Sequence, residues 1–147
     1  MIDPKQLRQL VINVLTEESL GGAAAVELVL GTIAVESAGG RYIRQVRGPA
    51  VGISQVEPAT FEWLKRHYFT RHPIVQTIEA QDLRWNLKAA IIFCRLRYRI
   101  VPRPLPNAHD IHGLAVYWKR SYNTAAGAGT VEHFLRSYSK YVKGLTA

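Results

Sequence analysis

The chain has 147 residues, 48% of them apolar and 20% charged. That supports one domain with a substantial core and excludes disorder, collagen and low-complexity architectures. Lys and Arg number 19 against 11 Asp and Glu, a net charge of +8, which favours polyanions (nucleic acid, anionic lipid or anionic cell wall) without choosing among them. The single cysteine, Cys94, excludes an intramolecular disulfide framework and a cysteine-based zinc site. Its setting, IIFCRLRY, reads as a core thiol.

Asp3-Pro4 reads as the N-cap and first residue of a helix. Leu7, Leu10, Val11, Val14 and Leu15 recur along it at helical spacing until Gly21-Gly22. A second, strongly apolar helix is expected from about Ala23 to Glu36, stopped by Ala38-Gly39-Gly40. Residues 41–57 have no period and contain Gly48-Pro49 and Gly52, so an irregular or short extended segment is expected there. Pro58 opens a third helix to about Tyr68, with Phe61 and Leu64 inward, and His72-Pro73 ends it. A long fourth helix is expected from about Ala80 to Val101, where Pro102, Pro104 and Pro106 stop it. Asp110 caps a fifth carrying Leu114, Ala115, Tyr117 and Trp118. Residues 123–129 read as a loop. Thr130 caps a last helix with Val131, Phe134, Leu135, Tyr138 and Val142 inward. The fold class is therefore mainly α, one domain over residues 1–147, with at most a small β-hairpin after the second helix.

No run approaches the ~18 apolar residues of a membrane helix. The best candidate, AAAVELVLGTIAV, carries Glu27 and Gly31. The first residues lack the basic-then-apolar order of a signal peptide, so action outside the cytoplasm needs another carrier.

The carboxylates can be sorted by setting. Asp3 and Asp110 read as helix caps and Asp82 as a first-turn acid. Glu17, Glu18, Glu62, Glu79 and Glu132 sit among polar neighbours and read as solvated. Glu27, Glu36 and Glu57 remain. Glu27 and Glu36 share the apolar helix, nine residues apart, which at ~3.6 residues per turn is a net half turn. Only one of them can face a given cleft. Glu36 ends the helix after Ile33, Ala34 and Val35 and precedes a flexible Gly pair. Its apolar setting, and the negative end of the helix dipole, oppose ionisation. A raised pKa suits a general acid for glycosidic cleavage. The competing reading is an ordinary solvent-facing Glu near a helix end.

Other constellations are weaker. His109 and His112 have metal-compatible spacing but no evident third ligand. Ser37 lies in VESAG, which is not a G-x-S-x-G elbow. No phosphate-binding glycine loop is present. Tyr42, Trp63, Trp85, Tyr117, Trp118 and Tyr122 could stack on sugars or bases but read first as core. Arg95, Arg97, Arg99 and Arg103 read first as a solvated helix face and only second as a nucleic-acid reader.

Residues 28–64, LVLGTIAVESAGGRYIRQVRGPAVGISQVEPATFEWL, combine three elements in order. Glu36-Ser37 ends an apolar helix, Gly52-Ile53-Ser54-Gln55 follows, and Pro58-Ala59-Thr60 comes next. This resembles the catalytic core of lytic transglycosylases of the soluble-lytic, goose-type-lysozyme-like group. The second element differs at two positions from the family's Gly-Leu-Met-Gln. Asn86 resembles a later Asn of the family. Leu114-Ala115-Val116-Tyr117 resembles the family's Ala-x-Tyr-Asn, with Trp118 where Asn is expected. Tyr122-Asn123 is the other candidate for that motif; Tyr117 is favoured. The resemblance covers roughly residues 20–125 and is nearest to bacteriophage-encoded wall-degrading proteins.

The resemblance implies a lysozyme-like helical domain acting on peptidoglycan. It would cleave the β-1,4 bond between N-acetylmuramic acid and N-acetylglucosamine and leave a 1,6-anhydro end. Glu36 would be acid and then base. Ser37, Gly52, Gln55 and Tyr117 or Tyr122 would contact the saccharide or the acid. No metal or organic cofactor is implied. The expected partner is the glycan strand, with no nucleic acid and no stable membrane insertion. The chain would act as a monomer, carried in a virion or released from the host cytoplasm through a holin-type pore. Alternatives are a muramidase using Glu57 as second carboxylate, a non-catalytic wall-binding virion protein, and a basic nucleic-acid-binding domain.

Overall fold

A computed structural model of the chain describes residues 1–123 and 127–145. The fold is mainly α, as expected. Helix α1 runs Pro4–Glu17, capped by the Asp3 side chain, which accepts from the Lys5 and Gln6 backbone N–H groups, and it buries Leu7, Val11, Val14 and Leu15. Helix α2, Ala23–Ser37, is apolar on nearly all sides. Such a helix is stable only when surrounded, and α1, α4 (Leu87–Arg99), α5 (Ile111–Trp118) and α6 (Val131–Ser137) all pack on it. Helix α3, Pro58–His67, packs on α4.

The half-turn offset between Glu27 and Glu36 has the expected effect. Glu27 faces α1 and the C-terminal turn, where it accepts a two-pronged ion pair from Arg8 (2.8 Å for one prong) and a hydrogen bond from the Tyr138 hydroxyl. Glu36 faces the other way. The buried Thr32 between them donates to Leu28 O (2.7 Å) and shares a hydrogen bond with the Tyr98 hydroxyl (2.6 Å). The helix closes at Ala38, which adopts the left-handed conformation with its N–H on Ile33 O.

Residues 41–56 form no strand. Two isolated antiparallel bridges, Arg44 with Val51 and Val51 with Val56, fold the segment back on itself. Gly52 holds φ +82°, and a Cβ there would lie 2.5 Å from the Leu83 carbonyl oxygen.

The expected continuous helix over 80–101 is interrupted. A 3₁₀ turn, Ala80–Arg84, is closed by a reciprocal capping box between Glu79 and Asp82. The chain breaks at Trp85-Asn86, and α4 starts afresh because the Asn86 side chain accepts from the Ala89 N–H at 3.0 Å. Asn competes with backbone hydrogen bonding inside a helix and is far better used as a cap. Arg95 departs from the expected solvated face: it is buried, and its Nε donates to Leu20 O at 3.0 Å. Of the six aromatics expected mainly in the core, Tyr117 and Trp118 are buried, whereas Tyr42, Trp63 and Trp85 are exposed. Cys94 is fully buried. Residues 124–126 of the expected loop lie outside the described residues. A further 3₁₀ turn, Pro73–Thr77, and π turns at Lys119–Asn123 and Tyr138–Val142 went unanticipated. No described helix is long and apolar enough to cross a membrane.

Gly31 sits where α2 meets α6, and a Cβ there would overlap the buried Phe134 ring. Gly31→Ala should therefore destabilise by about 1–3 kcal/mol through overpacking. Combining it with Phe134→Leu should give less than the sum of the two single losses, measured by urea denaturation.

Candidate active site

A cleft of about 610 Å³ opens beside the C-terminal end of α2. Val35 and Glu36 come from α2 itself. Gln45, Ala50, Gln55, Val56, Glu57 and Thr60 come from the folded segment and the start of α3. Arg97 on α4, Trp118 at the end of α5, and Tyr122 and Asn123 in the following π turn complete one side. Residues 127–129 and His133 form the remaining edge. The lining is rich in amide, hydroxyl and aromatic groups, a composition suited to a polyhydroxylated ligand.

Glu36 is the half-buried acid of this cleft. Burial pushes its carboxyl up to about 7, opposed by one hydrogen bond, from the Trp118 indole N–H to Oε1 at 3.1 Å. A group near half-ionised around neutral pH can both give and take a proton. Trp118 is 1% exposed and tilts against Phe134 with ring centroids 5.6 Å apart. Its indole is thus set by packing before it reaches Glu36. Glu57 is the other described carboxylate of the cleft; it is exposed.

The structure brings Glu36, Gln55 and Tyr122 together and leaves three sequence candidates elsewhere. Gln55 lines the cleft with φ +53°, unusual for a residue with a side chain, and its Nε2 donates to Gly52 O at 2.9 Å. Tyr122 stacks on Tyr98 (centroids 5.1 Å) and donates to Ser54 O at 2.6 Å. Tyr117, favoured from the sequence, does not line the cleft: its hydroxyl donates to Arg103 O at 2.9 Å. Successive helical residues differ by about 100° in direction, so with Trp118 turned to Glu36, Tyr117 points away. Ser37 is buried, donating to Ile33 O and accepting from the Gly40 N–H, both at 3.0 Å; it closes the helix end and touches no cleft space. Gly52 is buried and admits the Leu83 backbone, not a ligand.

Several cleft residues escaped the sequence reading. The spacing of Arg95, Arg97 and Arg99 predicts a solvated face, and a helix apolar on most sides gives no clue to which residue meets a cavity, as Arg97 does. His133 belongs to the last helix, which the resemblance did not cover. Thr60 lies within the Pro-Ala-Thr string and Gln45 between the Glu-Ser and Gly-Ile-Ser-Gln elements, so order along the chain holds a usable signal for both. Asn123 is fastened by Lys119, whose Nζ donates to its Oδ1 at 2.7 Å and to Gly127 O at 3.0 Å. His109 and His112 join no metal-binding set: among the described residues no group of three His, Cys, Asp or Glu side chains could hold a metal ion.

Comparison of the chain with protein-family models, with curated proteins and with solved structures gives no match.

The raised carboxyl has a consequence for stability. Folding favours the protonated form, so this contribution is fully present below the ordinary carboxyl pKa of 4.5 and is lost as pH rises towards about 7. Glu36→Gln keeps the shape and the acceptor for Trp118 without the charge. It should be more stable than the parent above neutral pH, by up to about 3 kcal/mol, with the gap closing under acid conditions. Thermal melts across that pH range would read the difference.

Proposed function

We propose that the protein is a peptidoglycan lytic transglycosylase that uses Glu36 as its single acid and base. The observation that carries the reading is one half-buried carboxyl with a raised pKa at the end of an apolar helix, facing a polar cleft. The Glu-Ser, Gly-Ile-Ser-Gln and Pro-Ala-Thr strings that frame this cleft supply the substrate class.

Protonated Glu36 would give its proton to the bridging oxygen as the bond from muramic C1 breaks. The 2-acetamido group of the same sugar would stabilise the cationic centre, as in substrate-assisted glycosidases. Ionised Glu36 would then take the proton of the C6 hydroxyl while that oxygen bonds to C1. The ring closes within one molecule, which gives the nucleophile a high effective concentration. Glu36 ends protonated, ready for another cycle. Gln55 and Asn123 would hydrogen-bond sugar substituents, and Tyr122 would offer a ring face. No step calls for a cofactor. The enzyme would reach the wall as part of a virion or through a holin-type pore.

A second reading has one observation in its favour. Glu57 also lines the cleft, and a second carboxylate able to activate water would make the enzyme a muramidase.

Mass spectrometry of the sugars released from purified peptidoglycan, without chemical reduction, separates the two. A muropeptide one water lighter than the hydrolysis product is expected; a full-mass reducing product would establish hydrolysis instead, and no product would leave a binding protein. Glu36→Gln should lower the rate by about 10²–10⁴-fold, and Glu57→Gln should change it little. Because the first step needs protonated Glu36, kcat/KM should fall as pH rises through about 7. Trp118→Phe removes the one hydrogen bond that lowers this pKa, so the falling limb should move to higher pH. Loss of packing alone would lower the rate without moving the limb.

A further inference from the structure

From the segment Arg41–Arg47 we infer a second functional surface: a basic, apolar flap beside the cleft that docks the protein on anionic lipid bilayers. The inference does not depend on the reaction assigned to Glu36. Between Glu36 and Glu57 the chain has no acidic residue, and RYIRQVR alternates cations with large apolar side chains. Tyr42 is 42% exposed, Ile43 50% and Val46 74%. Arg41, Arg44 and Arg47 are exposed too, and among the described residues none of them has an acidic partner.

The flap is built, not loose. The Gln45 N–H donates to Ala50 O at 2.8 Å, the Gly52 N–H to Ile43 O at 2.7 Å, and the Ala50 N–H to Gln45 Oε1 at 3.2 Å. Gln45 alone is turned into the cleft, and its neighbours on both sides are left facing water. Apolar side chains held in water by a fixed backbone are costly unless something covers them. A hydrophilic polyanion would satisfy the arginines but leave Ile43 and Val46 wet. An anionic bilayer satisfies both sets, taking the guanidinium groups at the phosphate level and the apolar side chains just beneath. The +8 charge of the whole chain favours the same encounter.

The test is co-sedimentation of the full chain with vesicles of phosphatidylcholine, with and without phosphatidylglycerol. Binding is expected only where phosphatidylglycerol is present, and added salt should weaken it. Arg44→Gln and Arg47→Gln should each lower partitioning about fivefold, since each cation near such a surface contributes a similar small amount. Ile43→Ser with Val46→Ser should lower it about tenfold or more; Val46→Ser alone, at the most exposed position, should give a smaller loss in the same direction. Circular dichroism checks that these surface variants fold. Absence of binding to phosphatidylglycerol vesicles would overturn the inference. So would binding that survives loss of Ile43 and Val46, because the surface would then be a site for soluble polyanions.

Discussion

Everything at the site depends on one arrangement: a carboxyl carried to the end of a helix that has almost no wet side. Helix α2 is enclosed by four other helices, so its last turn emerges from the core already desolvated. Glu36 inherits that environment. Its raised pKa follows from the apolar surroundings, and among the described residues one hydrogen bond, from Trp118, opposes it. The same enclosure disposes of the other acid on the helix. Glu27 points half a turn away, where it is ion-paired to Arg8 and accepts a hydrogen bond from Tyr138. One helix thus carries two carboxyls with opposite fates. Glu27 has a cation beside it and is held below the usual carboxylate range despite burial. Glu36 makes no ion pair among the described residues and is held above it.

Holding an acid in this state sets function against stability. Above neutral pH the fold carries a half-buried charge and forgoes part of its stability. Packing on the far side makes that tolerable. Phe134 fits against Gly31, Trp118 fits against Phe134, and the indole that touches Glu36 is fixed from behind. Within the core, the Thr32 and Tyr98 hydroxyls satisfy each other.

Much of this was legible in the residues. Helix starts were marked by Asp3, Pro58, Asp110 and Thr130, whose chemistry is local. The orientation of Glu36 relative to Glu27 followed from helical period alone. What period cannot express is where a helix yields to a better cap. Asn86 broke the expected fourth helix because its side chain satisfies a backbone N–H more effectively outside a helix than within one. Nor does period say which neighbour of a cleft residue points inward. Tyr117 and Trp118 are adjacent in sequence, and only the packing of Trp118 against Phe134 decided between them. Arg95 and Arg97 make the same point in reverse: two positions apart on one helix, one is buried on a backbone carbonyl and the other lines the cleft. Ser37 and Gly52 belong to the strings that suggested the chemistry, yet both are spent on the backbone. Part of such a motif encodes the scaffold and not the contact.

Gly39, just beyond α2, is a meeting point for distant parts of the chain. Its carbonyl accepts from the Ile2 N–H at 2.9 Å, and a Cβ on it would lie 3.1 Å from Tyr141. The segments before α1 and after α6 therefore close over the same turn that ends the helix of the acid. The surroundings of Glu36 are thus closed by residues from both ends of the chain as well as by the helix that carries it.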